Sequence, residues 1–466
     1  MKINKSKTAY FLLFTFCVCL PFQTICITLQ DAQELALEQN KNYLAEKQNL
    51  EEAKWNEYKS ISNFLPKLSF EGSMVRIDDD SYEASQEMFK LPVMNSSGMP
   101  TGDYVPLSYS ALGTAPNRTT FTSQLSLKQP IFNGGKLFLG YKIADLAHKQ
   151  ANCSLLSKKY TLEYNVSELY LNILRMEELI KIYKKQINSS LNQYNKVKRK
   201  HELGLAKKTD VLQWQVNLEN NRISLDEAVN NQDILKSYWQ NLLGYKNPNQ
   251  VSYPEKINLK KFDNEIEDIA KLEHTTKNQK LNNILTKVRS TNADLKSIKF
   301  SKEISQKTYD MAKSNLLPSL NVQYTRQFEQ DNKLNFKGDD KWNVAAVLSM
   351  PLFKSGTNLT EILRSKAAFK KANLKLSDTS EQIIIATKSA FYNLVTKAKK
   401  IENSRTTLEN ARENHSMIND YFAQGLVTNQ ELIDAEIMLF SAKMQHTNAY
   451  YDFIIAKYNL NKFLNE

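Results

Sequence analysis

The sequence is poor in glycine, cysteine and histidine. Its 12 glycines in 466 residues argue against an all-β protein, which needs many turns, and against a Rossmann-type enzyme. Four cysteines and five histidines leave little material for a catalytic site. No His-Glu-x-x-His, Gly-x-Ser-x-Gly or Gly-x-x-x-x-Gly-Lys sequence occurs. The composition therefore favours long helices, and we expect no enzymatic activity, no cofactor and no metal site.

The first 26 residues have the pattern of a secretory signal peptide. Three lysines among the first seven residues precede an apolar stretch over 10–20 that is too short to span a bilayer. Cleavage is predicted after Cys26, which leaves Cys153 as the single cysteine and excludes an internal disulfide. Lipidation of Cys26 is a less favoured alternative, because the residues before it depart from the lipoprotein pattern.

A formal net charge of +12 does not by itself indicate nucleic acid binding. The export signal argues against that partner, and an excess of lysine on solvated helix faces accounts for the charge. Beyond the signal, no run of about 20 apolar residues predicts a transmembrane helix.

Four landmarks occur twice in the same order, which indicates an internally duplicated chain. Each copy holds a Leu-Pro-x-Leu segment, a proline followed five residues later by a glycine, a Gly-Leu pair and an acidic residue before an apolar pair. The matched positions are Pro66 and Pro318, Pro130 and Pro351, Gly135 and Gly356, Gly204-Leu205 and Gly425-Leu426, and Asp210 and Glu431.

The spacing of the landmarks makes chance an inadequate explanation. From the second proline to the Gly-Leu pair there are 74 positions in both copies. Between the two prolines there are 64 positions in the first copy and 33 in the second. The additional residues fall within 77–119, whose proline and glycine content predicts a long loop, and we expect this loop to face the outside of the cell.

Apolar and polar residues alternate around each pair of prolines. The pattern covers about 67–129 in the first copy and about 319–350 in the second, where Leu320, Val322 and Tyr324 alternate with polar residues. Alternation of this kind is typical of a strand with one apolar and one wet face, as in a membrane barrel. A soluble sheet packed on a core gives the same alternation, so the strands alone leave both interpretations open.

Elsewhere apolar residues recur at steps of three and four, which is typical of a coiled-coil seam. Because a helix rises about 1.5 Å per residue, the longest segments predict helices of about 100 Å. Two short helices end to end match one long helix in length. The predicted long helices cover 136–201 and 357–424, and the short ones cover 29–64, 208–243, 281–316 and 430–464.

The predicted fold class is mainly α with membrane β-strands, four of them per subunit. Membrane barrels need about eight strands, so we expect a homo-oligomer that pools its strands: two subunits would supply 8 and three would supply 12. The predicted segments are a signal peptide at 1–26, a first repeat at 27–245 with a helical hairpin at 136–243, a linker outside the tube wall at 246–280, and a second repeat at 281–466 with a hairpin at 357–464.

These motifs together resemble the TolC family of outer-membrane efflux proteins, over essentially all of the chain after the signal. The family's helix that runs into Leu-Pro-x-Leu matches 28–68, and its strand-to-helix junction matches 129–135. The helix-tip motifs match 204–211 and 425–435. No single motif is specific, whereas their order, spacing and duplication are.

The resemblance implies a homotrimer with a 12-stranded barrel in the outer membrane, in contact with its lipid, and a helical barrel that extends into the periplasm. It also implies docking to a periplasmic adaptor (membrane fusion) protein and an inner-membrane pump. The expected function is passive conduction of substrates in a tripartite efflux or type I secretion system. The substrate, pump and adaptor cannot be identified from the sequence.

The resemblance also places a periplasmic gate at the helix tips. Glu431 and Asp434 match the family's acidic constriction, where a charged ring would favour cations. Asp210 matches an acid that pairs with a base on the second tip in some members, but Val427 occupies the position of that base. A helix-starting role is the alternative for Glu431 and Asp434, and capping or a neighbouring lysine is the alternative for Asp210.

One rival interpretation comes from a different class. A secreted coiled-coil scaffold or a periplasmic adaptor would bind partners without conducting. An adaptor is expected to show one helical hairpin flanked by small β domains. The two hairpins and two alternating strand pairs of this sequence argue against it.

Overall fold

The computed structural model describes residues 26–86, 88–108, 118–245, 251–331 and 339–465. The predicted signal peptide, apart from Cys26, lies outside these residues, as do parts of the predicted loop at 77–119 and of the predicted linker. Within the described ranges, no helix combines the length and the apolar composition that crossing a bilayer requires.

The described elements follow one another in two similar series. The first series is β1 (Cys26–Ile27), α1 (Leu29–Gln39), α2 (Lys41–Ser62), β2 (Lys67–Arg76), α3 (Asp79–Gln86), β3 (Met88–Met94), β4 (Pro100–Ser108), β5 (Thr119–Asn133), α4 (Lys136–Glu202) and α5 (Lys208–Leu243). The second is β6 (Tyr253–Pro254), a 3-10 turn (Leu259–Phe262), α6 (Asp263–Ala270), α7 (His274–Thr291), α8 (Ala293–Lys313), a 3-10 turn (Ser314–Leu316), β7 (Ser319–Asp331), β8 (Asp339–Ser349), α9 (Thr357–Ala423) and α10 (Asn429–Leu464).

The duplication is visible in the helix lengths. Helices α4 and α9 have 67 residues each, and α5 and α10 have 36 each. Their observed bounds lie within one residue of the predicted ones. The mainly α fold with a duplicated series of elements is therefore confirmed.

The N-terminal helix of each copy differs from the prediction, because it is interrupted. Asn40 separates α1 from α2, and Asn292 separates α7 from α8; their ψ angles of 118° and 126° lie far from helical values. In addition, α7 begins at His274, so the predicted linker boundary at 280 falls inside a helix.

At each interruption, the asparagine side chain forms a hydrogen bond with the end of another helix. The Asn40 amide Nδ2 donates to the carbonyl of Leu242, near the end of α5, at 2.9 Å. The Asn292 amide donates to the carbonyl of Phe463, near the end of α10, at 3.1 Å. Each asparagine thus satisfies a carbonyl that the helix end leaves free. The short helices therefore meet within their own copy, α5 at the α1–α2 junction and α10 at the α7–α8 junction.

Two compact units can be distinguished, and the first is helical. It comprises the described parts of Met1–Lys47, Leu155–Ala293 and Gln382–Glu466. Its core includes fully buried Trp239, Tyr170 and Phe453. The Asp452 carboxylate lies 3.0 Å from an Arg175 nitrogen of α4 and 2.7 Å from Lys397 Nζ of α9, so one acid on α10 connects three helices.

The second unit comprises the described parts of Gln48–Ser154 and Asp294–Glu381 and contains a four-stranded antiparallel sheet with the order β2-β5-β7-β8. The register sorts side chains by polarity, since cross-strand partners share a face. One apolar row consists of Leu68, Leu127, Tyr324 and Val344, and the adjacent polar row consists of Ser69, Ser126, Thr325 and Asn343.

The predicted long loop over 77–119 contains regular secondary structure in its described residues. They form α3 and a separate two-stranded sheet of β3 and β4. Pro92, Pro100 and Pro106 are compatible with these strands because a two-stranded sheet consists only of edges, where a missing amide donor is tolerated. At the turn, the Asn95 side chain accepts from the amides of Ser97 and Met99.

Candidate functional site

Both helical hairpins reverse at a glycine in the left-handed region, as the matched Gly-Leu pairs suggest. Gly204 and Gly425 each have φ of 76°, which a side chain would make unfavourable. The amide of the next leucine donates to the carbonyl five residues earlier, at 2.7 Å for Leu205 and 2.9 Å for Leu426, the arrangement that ends many helices. Leu205 is 74% exposed and Leu426 is 68% exposed, so both tips present an apolar side chain.

At the first tip, Asp210 supports the start of α5. Its Oδ2 accepts from the Lys207 amide at 3.2 Å. Within the described part of the chain, no lysine or arginine lies within ion-pair distance of this carboxylate. The structure thus places Asp210 at a helix start, the arrangement expected if Val427 cannot supply a partner.

At the second tip, Glu431 forms a capping box with Thr428. Its Oε2 accepts from the Thr428 amide at 2.6 Å and from the Thr428 hydroxyl at 2.8 Å, while the threonine hydroxyl oxygen lies 3.3 Å from the Glu431 amide that donates to it. The backbone and side-chain hydrogen bonds from Thr428 lower the pKa of Glu431, so this carboxylate is charged at neutral pH. Asp434, one turn further, is exposed and accepts from the Gln430 amide at 2.8 Å.

A neutral hydrogen-bonded chain joins the two tips. Trp214 on α5 is fully buried, and its indole Nε1 donates to Oδ1 of Asn429 at 2.6 Å. The Asn429 amide in turn donates to Oε1 of Gln213 at 2.8 Å. Asn429 is the first residue of α10 and is 9% exposed. The interaction connects the first hairpin to the second without using a charge.

A small apolar cluster surrounds this chain. Val211 and Trp214 from α5 pack with Leu432 and Ile433 from α10 and with Val197 from α4. Ile418 and Phe422 of α9 pack against the same cluster as partly buried side chains, together with Tyr194 of α4. The cluster therefore draws on all four helices of the two hairpins.

The sequence does not predict the contact between the tips. Val211, Trp214 and Leu218 follow one another at steps of three and four along α5, and all three are buried. This spacing was a usable signal for a seam on α5. Asn429 is a polar residue at a helix start and offers no comparable signal.

Three of the four prolines at the predicted strand–helix junctions lie just outside a strand, and the fourth lies inside one. Pro66 and Pro318 each precede the first residue of a strand, β2 and β7, by one position. Pro351 follows the end of β8. Pro130 lies inside β5, where the register shifts between it and Phe132, and such an irregularity tolerates a residue that has no amide donor.

The turns that lead into the long helices require positive φ angles. Gly135 and Gly356 have φ of 81° and 77°, and a side chain at either would meet open space. Gly134 is more restricted, because an added Cβ would lie 2.8 Å from the Ser314 carbonyl oxygen. The second copy has Ser355 at the matching position with φ of 46°, so a side chain is accommodated there.

Among the described residues, no group of three or more His, Cys, Asp and Glu side chains could hold a metal ion. The organised polar features of the hairpin tips are instead the helix caps and the link between Trp214 and Asn429. These features fix the helix starts and join the two hairpins.

Comparison with known proteins identifies similar sequences. The model of the family described as outer membrane efflux protein matches residues 32–244 and 284–466, which are the two copies of the duplicated unit. The outer membrane protein TolC of Salmonella enteritidis is 21% identical over 358 residues, covering 74% of this chain and 69% of that protein. The alkaline protease secretion protein AprF of Pseudomonas aeruginosa is 22% identical over 349 residues, covering 72% and 68%.

Solved structures share the fold. The Campylobacter jejuni CmeC outer membrane channel has a TM-score of 0.75 at 17% identity, covering 94% of this chain and 85% of that one. The open state of the Neisseria gonorrhoeae MtrE outer membrane channel has a TM-score of 0.71 at 14% identity, covering 94% and 88%.

Proposed function

Because the chain belongs to the outer membrane efflux protein family, we propose that it conducts substrates passively across the outer membrane while partner proteins supply the energy. It is an outer-membrane channel subunit of an efflux or type I secretion system, with its helices in the periplasm. The observation that carries the proposal of conduction is the four-stranded sheet, in which the apolar row with Leu68 and Val344 lies next to the polar row with Ser69 and Asn343.

We propose that three subunits assemble. In the described structure, β2 and β8 each pair on one side only, and an unpaired strand edge in lipid would leave backbone groups without hydrogen bonds. Three sheets joined edge to edge supply 12 strands, above the minimum of about eight for a membrane barrel. The apolar row with Leu68 and Val344 would then face lipid, and the polar row with Ser69 and Asn343 would face the lumen.

We propose that the tips are both the docking end and the gate. The exposed side chains of Leu205 and Leu426 offer apolar contacts to a periplasmic adaptor, which connects the channel to an inner-membrane pump. Glu431 and Asp434 would place six carboxylates around the closed end of a trimer. The capping box at Glu431 does not remove its charge, so the helix-starting role and the gate role are compatible.

We propose that the uncharged hydrogen bond between Trp214 and Asn429, which joins the two hairpins, keeps this gate closed. Asp210 caps its own helix, and Val427 offers no charge to it. The hydrogen bond from Trp214 to Asn429 is buried, and a buried donor that loses its partner costs about 1–3 kcal/mol. Opening the tip by separating the hairpins would break this bond in each subunit.

The test is single-channel conductance in a planar bilayer. The wild-type protein is compared with the double variant Glu431→Ala, Asp434→Ala. We expect a small wild-type current that prefers cations and a weaker cation preference in the double variant, because the carboxylates that attract cations are gone.

Two other results would test conduction and the acidic gate separately. An unchanged preference in the double variant would leave the duct intact and restrict these acids to capping. No current from folded, inserted wild-type protein would refute conduction and favour a non-conducting scaffold.

A further inference from the structure

A cavity of about 350 Å³ lies between three helices of the first unit. Its walls come from α4, α9 and α10, so they include both hairpins. The cavity is separate from the tip cluster around Trp214, and none of the predicted gate residues lines it. It has no part in the function proposed above.

Each of the three helices contributes a positive charge to the cavity. Lys185 comes from α4, Arg412 from α9 and Lys443 from α10. Lys185 and Arg412 are exposed, and Lys443 is half-buried. His415 and His446 add two further nitrogen-bearing side chains to the wall.

These three cations form no ion pair within the described ranges. No carboxylate there lies within ion-pair distance of Lys185, Arg412 or Lys443. Three like charges therefore line one cavity. The other two charges disfavour the charged form of the half-buried Lys443.

The one carboxylate in the wall is already engaged. Glu436 is 2% exposed; its Oε1 accepts from the Ser189 hydroxyl at 2.9 Å and its Oε2 accepts from the Gln186 amide at 3.3 Å. His415 Nε2 lies 3.9 Å from Oε1. A single carboxylate offsets one of the three cations, so the cavity keeps an excess of two positive charges when its histidines are neutral.

The protonation behaviour of the half-buried residues agrees with this geometry. Burial lowers the pKa of Lys443, the charges of Arg412 and Lys185 lower it further, and Glu436 acts in the opposite direction. Burial also lowers the pKa of His446. A bound anion would favour the charged form of both side chains.

We propose that this cavity binds a small oxyanion with two negative charges, held by Lys185, Arg412 and Lys443. Arginine and lysine are the side chains that bind phosphate-like groups in proteins, arginine through paired hydrogen bonds. The cavity of about 350 Å³ has room for water beside an anion of this size. The bound anion would connect α4 of the first hairpin to α9 and α10 of the second.

The test is isothermal titration calorimetry of the full-length assembly, purified in detergent, with inorganic phosphate in low-salt buffer. We expect saturable binding to the wild-type protein, one phosphate per subunit. Lys443→Gln should bind at least about tenfold more weakly, because a charge-assisted contact is lost. Lys400→Gln is the matched control, since Lys400 lies exposed on α9 outside the cavity, and its affinity should equal that of the wild type.

A second variant covers the case in which Lys443→Gln does not fold. Lys185→Gln with Arg412→Gln changes only exposed side chains and should also bind phosphate at least about tenfold more weakly. Absence of saturable binding to the wild-type protein would refute the site, as would equal affinities for the wild type and both cavity variants. An equal loss of phosphate affinity in Lys400→Gln would show that the affinity depends on the overall charge of the protein, and this result would also overturn the proposal.

Discussion

At the scale of single residues, the tip of this chain uses neutral and local interactions where the family resemblance suggests an ion pair. Asp210 accepts from the amide of Lys207, and Glu431 accepts from that of Thr428. The two hairpins are joined by the indole of Trp214 and the side chain of Asn429. A neutral hydrogen bond is little affected by salt, whereas an exposed ion pair is screened, so the proposed closure should tolerate changes in ionic strength.

The first prediction concerns this hydrogen bond. Trp214→Phe keeps an aromatic ring in the cluster but removes the Nε1–H donor, which leaves Oδ1 of Asn429 without that partner. The loss should cost about 1–3 kcal/mol in the closed tip. We expect a larger fraction of open time and a higher mean conductance in planar bilayers.

The control for this variant is Trp55→Phe. Trp55 is 65% exposed and lies in the second unit, so its replacement should leave the current unchanged. If Trp214→Phe conducts like the wild-type protein at the same insertion level, the hydrogen bond does not hold the tip closed.

The second prediction follows from the lowered pKa of Glu431. A carboxyl group whose pKa is lower in the folded state stabilises that state above its unfolded pKa, and this stabilisation is lost as the pH falls through the folded value. The ordinary pKa of the group is 4.5, and the folded value is lower. The capping box should therefore be intact at neutral pH and weaken as the pH falls below 4.5.

Amide hydrogen exchange of the first turn of α10 measures this effect. Protection factors, corrected for intrinsic exchange, should fall in the wild-type protein between neutral pH and strongly acidic pH. In Glu431→Gln they should be lower at neutral pH and change less, because no charge is titrated at this position. The same pH dependence in both proteins would show that another group is responsible.

At the scale of elements, the duplicated helix junctions are the clearest new feature. Asn40 and Asn292 are separated by 252 positions, as are the two Leu-Pro segments. Both break a helix and donate to the carbonyl near the end of a neighbouring one. The same solution in both copies indicates that each junction has a packing role and is not a local irregularity.

The third prediction is that Asn40→Ala and Asn292→Ala each destabilise the assembly. Each change leaves a partly buried carbonyl without its donor, at a cost of about 1–3 kcal/mol. Thermal unfolding of the purified protein should show a lower midpoint for both variants and a larger decrease for the pair. Asn42→Ala, at an exposed position in α2, should unfold like the wild type. Equal midpoints for the wild type and every variant would contradict the packing role.

The sequence predicts some of these elements and not others, for physical reasons. Apolar residues at steps of three and four indicate the bounds of α4, α5, α9 and α10 closely, because their buried seams are long and regular. The breaks at Asn40 and Asn292 escape prediction because asparagine is only a weak breaker of helices. The helix and hairpin within 77–119 escape it because proline on an edge strand has the same composition signal as proline in a loop.

The sequence also predicts only part of the candidate site. The glycine turns follow from the Gly-Leu pairs, since a left-handed residue after a helix favours glycine. The contact of Trp214 with Asn429 joins residues that are 215 positions apart, and no local pattern indicates such a pair. The anion site proposed for the cavity draws on three helices and is equally inaccessible from local patterns.

At the scale of the whole molecule, the edges of β2 and β8 that are unpaired in the described structure would have to be joined between subunits in a membrane barrel. The polar row places Ser69 on β2 and Asn343 on β8, separated by two strands. Strands lie about 4.8 Å apart, so the two edges are about 14 Å apart within a subunit. A disulfide needs Cα atoms within about 7 Å, so cysteines on the two edges can bond only between subunits.

The fourth prediction uses this geometry in a protein with Cys153→Ala. Ser69→Cys is combined in turn with Lys341→Cys, Asn343→Cys, Ala345→Cys and Val347→Cys. Four pairs are needed because the structure of one chain does not show which residue of β8 lies opposite Ser69 of the next subunit. One or two pairs should give, on oxidation, a closed product of three subunits in a denaturing gel and no larger species, since the third bond joins the last strand to the first.

Single-cysteine variants control for random contacts. A series of products beyond three subunits would indicate an open array of sheets, and two subunits as the largest product of every pair would contradict the 12-stranded barrel.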